Sequence, residues 1–208
     1  MDFISADIET LGLTTEYDVI ELAMIYCKTG VPLEKCSTIR FTFDIPNKPL
    51  KANMFCMLMH QELIKEINSA EYNTYVSPRN YGTDHNPFYP RIHPDKIQGL
   101  IREWYIYNNI PENNKLLFAG KNFANFDINW FKKHGWDNVT LQGKWPMHHR
   151  TLDPAILYVE DDDNTIPNLE ECIKRSGQQV FLNAYGKLHN ALYDALAVAA
   201  LIREKLKI

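Results

Sequence analysis

Cysteine is scarce in this 208-residue chain: Cys27, Cys36, Cys56 and Cys172 are the only four, and no two form a C-x-x-C pair or another zinc spacing. They read as reduced, mostly buried thiols of a cytoplasmic protein. No apolar run approaches the length of a membrane span, so no membrane partner is expected. The chain opens on Asp2 and a strand pattern, without the basic and apolar regions of a secretory signal. Positive charge is also short, with 22 Lys and Arg against 26 Asp and Glu and a net charge of −4. That balance argues against coating a long polyanion through a basic face. It leaves room for gripping one end of such a chain through bound cations, since two divalent ions would bring the loaded protein to neutrality. Internal repeats and low-complexity stretches are absent as well.

What is present is an apolar fraction of 45%, ample for the core of one domain spanning 1–208. Residues 2–9, 18–27 and 37–44 read as three strands of an antiparallel meander. Apolar spacing predicts a helix over 53–67 and another over 95–108. Between them, 68–94 has no period and several X-Pro steps, and reads as a long loop or arm. Its tyrosines and arginines suit either stacking on bases or packing against its own domain or a second subunit. Residues 115–119 and 148–152 read as further strands. Helices are expected at 123–134, near 154–159 and 168–175, and from 190 to 206. This order predicts an α/β fold, a mixed sheet covered by helices on both faces.

The chemistry concentrates in acids placed where acids are costly. On the first strand Asp7 and Glu9 share a face, about 6.5–7 Å apart along the strand. Carboxylates that close repel unless a cation or proton lies between them. On a helical wheel Asp127 falls within the apolar stripe of Phe123, Phe126, Trp130 and Phe131, where an unpaired carboxylate is expensive. A hydrogen bond to a buried amide or a hidden base would answer that cost; a metal shared with Asp7 answers it better. Asp194 is the sole charge in 191–202, a segment apolar nearly all round and hence buried. Its favourable place in a first turn, worth about 0.3–1 kcal/mol, does not by itself offset burying a carboxylate. His189 lies five residues earlier, ahead of the N-cap candidate Asn190, in a loop from which it can swing over the acids.

Together these residues resemble the DEDDh family of 3′–5′ exonucleases. The D-x-E motif matches Asp7-Ile8-Glu9 with Thr10 following. The second motif matches Asn-Phe-Ala-Asn-Phe-Asp ending at Asp127, its asparagine being Asn122 or Asn125. The third, H-x4-D, matches His189 and Asp194. The resemblance implies a ribonuclease H-like mixed five-stranded sheet flanked by helices. It implies two-metal hydrolysis of single-stranded DNA or RNA from the 3′ end, releasing nucleoside 5′-monophosphates. Asp7 would bridge two ions, Mg²⁺ or Mn²⁺; Glu9 and Asp194 would hold the one that activates water; Asp127 would hold the second; His189 would be the general base. Thr10, Leu11, Asn122 and Asn125 would meet the terminal nucleotide. The choice between DNA and RNA, and between monomer and homodimer, stays open.

Two rivals are weighed. A non-catalytic module binding nucleic-acid ends need not keep all five site residues. A glycosidase using Asp7 and Glu9 explains neither Asp127 nor Asp194. Other polar groups read as structural. Glu160 to Asp163 form a solvated acidic loop, His148 and His149 would face opposite ways on a strand, and Asp153 before Pro154 is an N-cap.

Overall fold

The computed structural model describes residues 1–44, 50–68, 88–112, 114–139, 145–183 and 188–208. β1 (Phe3–Thr10) pairs antiparallel with β2 (Val19–Cys27), and β2 with β3 (Ser37–Phe43), so the predicted meander forms. On the other side of β1, β5 (Leu116–Ala119) and then β7 (Trp145–Leu152) add in parallel. Two further strands complete the sheet. β4 (Phe88–Ile92) runs parallel to β3, and β6 (Asn138–Val139) antiparallel to β7. The order is β4-β3-β2-β1-β5-β7-β6, seven strands among the described residues rather than the five expected.

Both extra strands leave little trace in the sequence for physical reasons. β6 is two residues long, too short to show a period. β4 carries Pro90, which cannot donate to a ladder and is tolerated because β4 is the sheet edge. The predicted arm is therefore shorter than 68–94: 88–92 is β4, Pro94–Lys96 is a 3₁₀ turn, and 69–87 lie outside the described residues.

The alternation of β1 divides its side chains between two cores. Ile4, Ala6 and Ile8 join the core under α3 (Ile97–Tyr107) and α4 (Asp127–His134), with Trp104, Tyr105, Trp130 and Phe131. Phe3 joins the core under α8 (Ala191–Leu206), which is backed by α5 (Pro154–Leu157), α6 (Leu169–Ser176) and α7 (Gln179–Leu182). The small Ala195 lies where α8 meets the sheet, near enough for Ser5 Oγ to donate to the Ala195 carbonyl at 2.7 Å. Helices thus cover both faces. Among the described residues no helix is long and apolar enough to cross a membrane. All four cysteines are free and buried.

Two predicted helices differ from their expected form. The one expected over 53–67 is two, α1 (Met54–Met59) and α2 (Gln61–Asn68), broken at His60. The one expected from 123 begins at Asp127, because 121–126 turn instead, with Asn122 at φ 57°. Gly120 opens that turn. A Cβ there would stand 2.8 Å from the Ala6 carbonyl oxygen and 2.9 Å from Phe123, so only glycine lets β5 end so close to β1.

Candidate metal centre

β1 and α8 cross where their acids meet. Asp7 and Glu9 point to the α8 face, and Asp194 looks back from the first turn of α8, whose N-cap Asn190 accepts from the Tyr193 N–H at 3.2 Å. One carboxylate oxygen from each of the three lies within 4.8 Å of the others. Asp127 reaches the same end of β1 from the other face, where its Oδ1 accepts the Ile8 N–H at 3.2 Å. It stands beside the three-acid cluster rather than in it. His189 is exposed, in the loop before α8, at φ 65°. Its N–H donates to Asp194 Oδ2 at 3.1 Å.

Burial, reinforced by mutual repulsion, pushes the Asp7 and Glu9 carboxyls well above the usual range. Burial lifts Asp127 to about 8 against the pull of two backbone N–H bonds, and lifts Asp194 to about 7 against that of His189. Without a cation this cluster therefore holds protons near neutral pH. Glu9 Oε1 and Asp194 Oδ1 are buried and have no hydrogen-bond partner among the described residues. Bare, buried, like-charged oxygens suit a hard divalent cation, which prefers carboxylate ligands.

Two residues at the site escape the sequence reading. His60 is 2% exposed, with Nε2 3.4 Å from Glu9 Oε2. Burial and the nearby His189 push its pKa down to about 4. The signal for it existed: Cys56, His60, Leu63 and Ile67 follow a 4, 3, 4 spacing and are all buried, so His60 interrupts an apolar stripe as Asp127 does. The second is Glu21, fully buried on β2 directly opposite Glu9. It pairs with Arg40 Nε of β3 and accepts the Ala191 N–H at 3.0 Å, tying the start of α8 to the sheet. Its signal was a lone charge in an otherwise uncharged strand. Glu21→Ala leaves Arg40 without this carboxylate and is expected to cost about 3 kcal/mol or more. Urea denaturation would check it, and a loss below 1 kcal/mol would remove Glu21 as the anchor of α8.

The residues expected to meet a nucleotide are placed unevenly. Leu11 is fully buried against Ile20, Leu63 and Ile67, and the Thr10 hydroxyl donates to the Gly12 carbonyl at 2.6 Å. Asn122 and Asn125 are exposed and bonded to each other at 3.1 Å. Asp153 is an N-cap as expected, accepting from the Ala155 N–H at 2.8 Å, and its other oxygen accepts the Asn122 N–H. The acidic loop is not simply solvated. Asp163 forms a two-pronged pair with Arg175 at 2.6 and 2.8 Å, which holds its carboxyl down at about 2. His148 and His149 stack at 4.4 Å instead of facing opposite ways.

No protein-family profile and no curated protein matches the chain. Solved structures do match, two of them as follows. Escherichia coli Exonuclease I in complex with a 5cy-dT13 oligonucleotide superposes over 99% of this chain, with a TM-score of 0.56 and 16% identity. Its complex with a 5cy-dA13 oligonucleotide gives 0.50 and 13%. The likeness is one of fold. This chain spans 40% of the length of that enzyme. The fold is shared although the described sheet here has seven strands.

Proposed function

We propose that this chain is a DEDDh-type, metal-dependent 3′–5′ exonuclease that hydrolyses single-stranded DNA or RNA and releases nucleoside 5′-monophosphates. The observation that carries the reading is the meeting of Asp7, Glu9 and Asp194 within 4.8 Å, with a bare buried oxygen on Glu9 and another on Asp194. The fold shared with Exonuclease I, a protein seen holding oligonucleotides, supports it.

In this reading Asp7, Glu9 and Asp194, with Asp127, would hold two divalent ions, Mg²⁺ or Mn²⁺. Such ions, when bound, stabilise the attacking and leaving oxygens of an in-line displacement at phosphorus. The chain's own residues do the rest. The Ile8 N–H fixes Asp127, and the His189 N–H fixes one oxygen of Asp194 while leaving the other free. The exposed His189 ring turns toward the site and takes the proton of the attacking water as the 3′ oxygen leaves.

Removing the ring should therefore slow the reaction without emptying the site. His189→Ala is expected to lower kcat by ~10²–10⁴-fold, with Mn²⁺ affinity by calorimetry almost unchanged. A fully active variant would remove His189 from the mechanism.

The deciding experiment is digestion of 5′-labelled single-stranded DNA and RNA of matched sequence in Mg²⁺ or Mn²⁺, with EDTA as control. A metal-dependent ladder shortening from the 3′ end supports the proposal, and the faster polymer names the substrate. Binding without cleavage would instead make the chain an end-binding module. Cleavage unaffected by EDTA would end the metal reading.

A further inference from the structure

Each acid of the centre needs one oxygen fixed by the protein if the other is to meet an ion in a defined place. Asp127 has the Ile8 N–H, and Asp194 has the His189 N–H. Among the described residues Glu9 has no such backbone donor. The group facing its Oε2 is the imidazole of His60, with Nε2 at 3.4 Å, while its Oε1 is the bare one. Glutamate also has one more rotatable bond than aspartate, so of the acids here it most needs holding.

His60 is built rigidly into that place. Its N–H donates to the Cys56 carbonyl at 3.0 Å, and its carbonyl accepts the Ile64 N–H at 2.9 Å, so it belongs to the end of α1 and the start of α2 at once. Its ring lies on the stripe of Cys56, Leu63 and Ile67, and the last two pack on Leu11 just beyond β1. Burying an imidazole without hydrogen bonds is costly, and its Nδ1 has no partner among the described residues. The approach of Nε2 to Glu9 is the polar contact that compensates. At 3.4 Å it is longer than a formed hydrogen bond, as polar contacts at an unloaded active site often are.

We propose that His60 is a positioning residue: its Nε2–H holds Glu9 Oε2 so that Oε1 is turned toward the ion shared with Asp194. This rests on the metal-ion reading given above. It adds α1 and α2, which carry none of the five motif residues, to the working parts of the centre.

The test compares His60→Ala, His60→Phe and His60→Gln in the full chain. It measures Mn²⁺ affinity by electron paramagnetic resonance, with kcat and KM on a short oligonucleotide alongside. Alanine removes both donor and volume, phenylalanine restores volume alone, and glutamine returns an N–H near the position of Nε2. His60→Ala and His60→Phe should bind the ion that Glu9 holds ~10–100-fold more weakly and lose kcat with KM nearly unchanged. His60→Gln should recover most of both. Recovery by phenylalanine and not by glutamine would make His60 a packing residue and overturn the proposal. Wild-type affinity in all three would overturn it too. A wild-type protein that binds no Mn²⁺ would instead bring down the metal reading, and the role of His60 with it.

Discussion

Asp7→Asn should abolish hydrolysis while leaving the ion-free protein at least as stable as the wild type. Asp7 stands at the centre of the acids, and Glu9, Asp194, Asp127 and Glu21 all raise its pKa, after burial itself. In the proposed function it would help to hold both ions, whose charge stabilisation is worth several kcal/mol. At about 1.36 kcal/mol per tenfold, the expected loss is ~10³-fold or more. The stability change runs the other way. Asparagine keeps the shape, carries no charge and relieves a repulsion that only bound protons offset when no cation is present. Thermal melting in EDTA should show an unchanged or higher Tm. A marked drop would mean that Asp7 holds the fold together, and the metal centre would be the wrong description.

The same cluster sets a pH dependence whose sign is unusual for carboxylates. Paired surface acids have lowered pKa values and stabilise a protein as pH rises. Here the folded values are raised, with Asp194 at about 7 and Asp127 at about 8 against 3.8 for a free side chain. The folded state therefore binds more protons than the unfolded one between these limits, and stability is lost as pH climbs through them. In EDTA, Tm should fall from pH 5 to pH 8. A divalent ion bound there would replace the protons, so its stabilisation should grow over the same interval. At a hundredfold excess over Kd it amounts to about 2.7 kcal/mol. A Tm in EDTA that is flat or rising from pH 5 to 8, with no gain from Mg²⁺ at pH 8, would contradict the site as described.

Much of this was legible in the chain because local patterns report burial. Asp127 and Asp194 stood out as charges on apolar faces, and both are buried. The same test, applied to the stripe of Cys56, Leu63 and Ile67, would have found His60. It was obscured because 54–67 looks like one continuous helix, and the break at His60 has no proline or glycine to mark it. Glu21 was harder to find. β2 is buried on both faces, so it has no alternation against which an inward charge stands out. Leu11 shows what a local reading leaves out. Its place just past the acids suggested a nucleotide contact, yet the loop beyond β1 folds its side chain into a small core with Ile20, Leu63 and Ile67.

The sequence by itself determined the meander, the buried last helix, the faces of β1 and the acids that burial makes costly, because each follows from a period of two or of 3.6 within one segment. Tertiary structure alone decided which of those acids meet. Asp7 and Glu9 join Asp194 from 185 or more residues away because α8 packs on β1, with Ala195 against Ser5, whereas Asp127 arrives on the opposite face and stays beside the cluster. It also decided that His60 faces Glu9 and that β4 and β6 complete the sheet. No local period encodes a crossing or a strand neighbour, since these are set by packing between segments far apart in the chain.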